Sequence, residues 1–316
     1  MMKSLGLALV LGGALATSAL AQDYPVRDID LVVPFAPGGA VDVTSRLIAE
    51  AANGFLDGAE VVVSNRAGGG GVVGQSFVAN AEPDGYTLLA MTSSVVTNPQ
   101  LKGAPYEVAD FTPVAAYNLD PEVIAVPADS RFATIEDFIN AAREAPLTMT
   151  IAGIGTSHHM AGLALTSTAK AQFTYVPAKG FGEQLQAVIG GHADGAFWPM
   201  GEAMSHAKSG TVRILAVASD MRDANFPDVP TFEEAGLGIP IWATFRGWAV
   251  PAGTPEPVVA FLSELMEKIA KDETYQKKMA DGGFDATYRN ADDFQKIITS
   301  YAEQASVIIK ENNLSE

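Results

Sequence analysis

The stretch Leu31-Val-Val-Pro-Phe-Ala-Pro-Gly-Gly-Ala-Val-Asp42 holds the residues best placed to bind something. Ile29 to Val33 is short and β-branched, which predicts a buried strand. Pro34 and Pro37 remove the N–H groups that a ladder needs, and Gly38-Gly39 allows a tight turn. Val43, Leu47 and Ile48 then recur on one helical face, with Asp42 and Thr44 near the start as capping groups. The first N–H groups of such a helix, at its positive end, favour a carboxylate or a phosphate. An ordinary β–α turn has the same spacing. Phe35, Ala36, Pro37, Gly38, Gly39 and Asp42 are the candidate contacts on this loop.

Two further stretches have similar chemistry. Thr92, Ser93 and Ser94 end a strand from Tyr86 to Met91, and Asn98 follows one helical turn later. In open α/β sheets the crevice lies beyond the strand carboxyl ends, so these groups belong beside Ala36 to Gly39, unless the hydroxyls serve only as helix caps. Ala152-Gly-Ile-Gly-Thr-Ser-His-His-Met160 repeats the order of strand, glycine turn, hydroxyls and helix start, and offers a second anion site. Trp198, at the end of the strand Asp194 to Trp198, either covers a ligand or fills core. Gly69-Gly-Gly-Val-Val-Gly74 matches the dinucleotide fingerprint in form only. That fingerprint wants an acidic residue about 20 positions on, where this chain has Leu88-Leu-Ala-Met91, so a close-packed turn is expected, with Arg66 at a surface or cleft edge.

The elements that must position these residues alternate strand and helix with few hairpin signals, which gives an α/β fold. Pro113 to Val126 and Ile241 to Val250 are long extended passages suited to crossing between two lobes. Thr134-Ile-Glu-Asp137 opens a helix that runs to Arg143, and Thr231-Phe-Glu-Glu234 caps a short one stopped by Gly236. From Pro257 onward the chain reads as helical scaffold.

Composition sets outer limits. Lys and Arg total 20 against 37 Asp and Glu, a formal charge of −17, so nucleic acid is not an expected partner. A local anion site is still compatible with that field, because it depends on a few N–H groups and hydroxyls. With no cysteine, there is neither a disulfide framework nor thiolate chemistry. Met1 to Ala21 carries one charge, Lys3, then an apolar run and Ala19-Leu-Ala21, the pattern of a secretory signal cleaved after about Ala21.

Read together, the motifs resemble the tripartite tricarboxylate transporter solute receptors, the Bug-type family. The loop at 34–42 is similar to the family signature P-F-x-P-G-G-x-x-D. Val61 to Gly71, Pro83 to Leu89, Tyr175 to Gly180, Asp228 to Thr231 and Pro251 to Pro255 match its landmarks in order. The resemblance implies a two-lobed periplasmic-binding-protein fold of type II with the ligand cleft between lobes and two crossovers as the hinge. It implies a lobe of residues 22–120 plus 249–316 and another of residues 121–248. It also implies a periplasmic, monomeric receptor that presents a di- or tricarboxylate or an aromatic acid to membrane transporter subunits, with no catalysis and no cofactor. Thr156, Ser157 and His158 carry over as ligand contacts, as do Ala178, Lys179 and Gly180, the backbone more than the Lys179 ammonium. His159 and Met160 depart from the commoner pattern, and one of the two histidines is expected to pack structurally. Thr244-Phe-Arg-Gly-Trp248 resembles the citrate-type branch, which makes Arg246 a candidate carboxylate clamp or a crossover salt bridge.

Two other classes compete. An exported hydrolase would pair Ser157 or Ser94 with a histidine, but no G-x-S-x-G elbow is present. A metal site would draw on His158, His159, Met160, His192 and His206, but adjacent histidines lack the i, i+4 geometry of helical zinc sites.

Overall fold

A computed structural model describes residues 24–238 and 242–314. The expected signal segment and its cleavage point lie outside the described residues. Among those described, no helix is long and apolar enough to cross a membrane.

Five strands make up the first half of the sheet. β1 (Ile29–Val33) lies between β2 (Val61–Asn65) and β3 (Thr87–Thr92), parallel to both. β9 (Ala243–Pro251) is antiparallel to β3 on one edge and to β4 (Phe111–Pro127) on the other. The β4–β9 pairing runs from Phe111 opposite Pro251 to Pro121 opposite Ala243. Beyond Pro121, β4 changes neighbours and takes β7 (Gly195–Pro199) and β8 (Val212–Val217), both antiparallel. β5 (Leu147–Ile151) then joins β7 to β6 (Phe173–Pro177) in parallel. The two passages read from sequence as crossovers are therefore β4 and β9, and they are hydrogen-bonded to each other.

β1, β3 and β7 are apolar on both faces because helices cover each side, the usual pattern for strands in α/β sheets. One core cluster packs Leu31, Leu88, Trp248, Leu262 and Leu265 in the first half, and another packs Val123, Trp198, Met200 and Val217 in the second. A third joins the halves behind the sheet through Phe197, Trp242, Phe245, Phe294 and Tyr301.

The C-terminal scaffold divides into α8 (Glu256–Ala270), α9 (Glu273–Asp281) and α10 (Ala291–Glu311). The Thr231 segment differs from expectation. The Glu234 N–H donates to Thr231 Oγ1 and the Thr231 N–H to Glu234 Oε2, as in a capping box, but only turns follow. Gly236 and Gly238, both at positive φ, divert the backbone before a helix can propagate.

Candidate functional site

Five helices begin at one place. α1 (Ala40–Asn53) and α3 (Ser94–Lys102) follow β1 and β3, while α5 (Ser157–Ala169), α6 (Phe181–Ile189) and α7 (Met200–Lys208) follow β5, β6 and β7. None of the five has a side-chain hydrogen bond from its own N-cap residue. The scaffold helices α4 (Ile135–Glu144), α9 and α10 are capped by Thr134, Asp272 and Asn290. A helix start leaves four N–H groups unpaired and carries a positive partial charge, so this cluster is built to face an anion.

The first turns of all five line one cavity. Its wall includes Phe35, Ala36, Gly39 and Ala40 from the first loop and Thr92, Ser93 and Ser94 from the end of β3. Opposite stand Thr156, Ser157 and His158, then Lys179, Gly180 and Phe181, with Glu202, Thr244 and Arg246 completing the lining. An outer cavity shares Phe35, Ala36, Ala152 and Lys179 with it and continues past the 67–71 glycine turn. That mouth is lined by Lys102 and Lys179 and by no carboxylate.

Arg246 makes the crossover salt bridge and also lines the cavity. It is fully buried, and its Nη1 donates to Asp120 Oδ2 at 2.8 Å and to Asn118. Its Nε has no partner among the described residues. Asp120 also accepts from the Gly201 N–H at 3.0 Å, the first turn of α7. Burial raises the Asp120 pKa, and Arg246 and that N–H pull it back. Behind Ser157 a chain of hydroxyls leads inward: Ser157 Oγ bonds to Thr244 Oγ1, which donates to Glu122 Oε1 at 2.8 Å. Burial pushes the Glu122 carboxyl up to about 8.

The adjacent histidines separate as expected for neighbours on a helix. His158 lines the cavity, and burial drops its imidazole to about 3, leaving it neutral. His159 packs edge-on against Tyr175 at 4.7 Å, and its Nδ1 accepts from the Gly155 N–H. Met160 is core.

Six residues expected at a ligand do not line the inner cavity. Asp42 is turned back: its carboxylate accepts from the Gly38 N–H and from Arg46 and Asn65, so it fixes the loop instead of capping α1. Pro37 and Gly38 lie on the outer side of that turn, Gly38 at φ +88°. Asn98 is drawn away by Gly70 O and Gln75 Oε1. Ala178 borders only the outer cavity. Trp198 is core, its Nε1 donating to Gln184 Oε1 at 3.1 Å. Conversely, Gln184, Thr244 and Glu202 reach the cavity without having been singled out. Glu202 had one usable signal, a carboxylate three residues into a helix that follows a Trp-Pro strand end. Gly74, the last glycine of the fingerprint-like run, lies in α2 (Val72–Ala79) and packs against Pro34 and the Arg66 carbonyl. Arg66 itself stacks 3.6 Å over Phe77, at the surface.

Neither competing chemistry assembles. Ser157 Oγ bonds Thr244 and Ser94 Oγ bonds Gln75 and Thr92, not a histidine. No group of three metal-ligating side chains occurs among the described residues.

Residues 44–314 match the family model described as tripartite tricarboxylate transporter family receptor. The chain belongs to this receptor family. It is a solute-binding receptor and not an enzyme. It is similar to the UPF0065 protein of the tcbD-tcbE intergenic region of Pseudomonas sp. (strain P51), 36% identical over 83% of this chain and 80% of that one. Among solved structures, R. palustris Rpa4515 with adipate is 26% identical at TM-score 0.86, covering 93% of this chain and 99% of that one. MatC (Rpa3494) from Rhodopseudomonas palustris with bound malate is 28% identical at TM-score 0.83, covering 90% and 100%.

Proposed function

We propose that this receptor captures a small organic carboxylate outside the cytoplasmic membrane and hands it to membrane subunits of a tripartite tricarboxylate-type transporter. The observation that carries the reading is the convergence on one cavity of five helix starts that their own N-cap residues leave uncapped. Serine hydroxyls on the same wall and two lysines at the mouth suit an incoming anion. The adipate and malate in its structural neighbours support the same class.

One carboxylate would sit on the free N–H groups of the α5 first turn and the Ser93 and Ser94 hydroxyls. Charge-assisted hydrogen bonds contribute about 1.5 to 3 kcal/mol each, so four or five of them offset the cost of ordering the ligand and give micromolar binding. Residues 22–120 plus 249–316 would form one lobe and residues 121–248 the other, closing about β4 and β9, because only the closed state gives the ligand contacts from both. The receptor would act as a monomer in the periplasm after losing residues 1–21.

Thermal melting of the mature protein tests this against mono-, di- and tricarboxylates, aromatic acids and amino acids, with divalent metals as control. A ligand at one hundred times Kd adds about 2.7 kcal/mol. A rise confined to acids supports the reading, and a response to metals alone overturns it.

A further inference from the structure

Glu202 stands where a ligand's own carboxylate would be expected. From the second residue past the start of α7 it reaches across the cleft, and its Oε1 accepts the Ala40 N–H at 3.0 Å. It thus supplies the anion for the α1 helix start that α1 does not supply for itself. Its other oxygen, Oε2, is buried and has no hydrogen-bond partner among the described residues. Two buried groups in the same cavity wall are also unsatisfied there, Arg246 Nε and His158 Nδ1. Together these open valences mark the inner end of the cavity as a place completed by something else.

The charges around that place decide what fits. Arg246 is the buried cation of the wall, and it pairs with Asp120 at 2.8 Å. His158 is neutral, and Lys179 borders both the inner cavity and its mouth, its backbone N–H donating to Glu183. Burial raises the Glu202 carboxyl to about 7 against the pull of the Ala40 N–H and Arg246, so at pH 8 it is a largely ionised, only partly compensated carboxylate in the same cavity as the N–H groups and hydroxyls of the α3 and α5 starts that would take a carboxylate. Burying a second anionic group against a carboxylate is costly, whereas an ammonium would pair with Oε2 through a charge-assisted hydrogen bond.

We propose that Glu202 sets the ligand class of this receptor: an acid that also carries an ammonium group, a zwitterion such as an amino acid, in preference to a dicarboxylate of the same length. This rests on the carboxylate reading above and narrows it.

The test is calorimetric titration of the mature protein at pH 8 with three acid sets of matched length, three to six carbons: dicarboxylates, ω-amino acids and α-amino acids. The wild type and Glu202→Gln are compared. The glutamine retains an acceptor for the Ala40 N–H, and the melting temperature without ligand checks that the fold survives. A zwitterion is expected to bind the wild type at least tenfold tighter than its dicarboxylate counterpart, and Glu202→Gln is expected to cut that ratio tenfold or more. A wild type that prefers the dicarboxylate overturns the proposal, as does a ratio that Glu202→Gln leaves unchanged. If carboxylates bind but ignore Glu202, only this inference fails. If no acid of any set binds, the carboxylate reading fails with it.

Discussion

Buried titrating groups concentrate around this cleft, and they make pH a probe of single residues. Glu122 lies behind the cavity wall, its carboxyl raised from 4.5 to about 8 by burial. Between those values the unfolded chain has released the proton that the folded chain keeps, so this contribution to stability falls as pH rises across the window. At about 1.4 kcal/mol per unit of pKa difference, Glu122→Gln should remove roughly 2 to 5 kcal/mol of the stability lost between pH 5 and 8. Denaturant midpoints at the two pH values check it. Parallel curves for wild type and variant would mean that Glu122 is already ionised in the fold. His158 behaves in the opposite sense. With its imidazole held near 3, it should show no titration of its ring resonances between pH 5 and 8. Of the individual residues at the site, sequence reached those whose type announces itself: the Ser93-Ser94 hydroxyls, Thr156 to His158, and Arg246. It did not reach Glu202 or Gln184, because a carboxylate or amide in the first helical turn is ordinary by local rules and matters only through a partner across the cleft.

At the scale of elements, the strand-turn-helix units were legible in nearly every case, since Gly and Pro punctuate a chain whose apolar runs are clean. Thr231 to Gly236 shows the limit. The capping-box bonds formed, but two positive-φ glycines downstream left no helix to cap. The start of α7 shows a constraint that only packing reveals. A Cβ on Gly201 would lie 2.3 Å from Phe284 and 2.9 Å from Asp120 Oδ2. Gly201→Ala should therefore cost about 1 to 3 kcal/mol by overpacking and also weaken carboxylate binding, because it disturbs the Asp120 partner of Arg246. Chemical denaturation with a parallel titration checks both effects. Unchanged stability would show that Phe284 yields freely.

For the whole molecule, the α/β class and the two crossing passages were readable in order, but not that β4 and β9 would pair along most of their length. That pairing joins residues far apart in sequence, and periodicity carries no such information. The role of α10 was also hidden. Its residues contribute to the core cluster that joins the halves, and past its end Asn312 Nδ2 donates to Leu163 O and Ser167 Oγ on α5. α10 thus bridges behind the hinge, where opening of the cleft would press on it. Asn312→Ala is expected to widen the ligand-free ensemble, seen as a larger radius of gyration by solution scattering, while the liganded radius stays the same.

Three contacts tie the two sides together. Ala40 meets Glu202, Thr97 Oγ1 meets Gly155 O, and Gly70 packs on Gly153 so closely that a Cβ on Gly153 would fall 3.1 Å from the Gly70 Cα. If the lobes close on the ligand as proposed, these contacts must part before a solute is exchanged, so the observed association rate should climb with solute concentration and then level off at the parting rate.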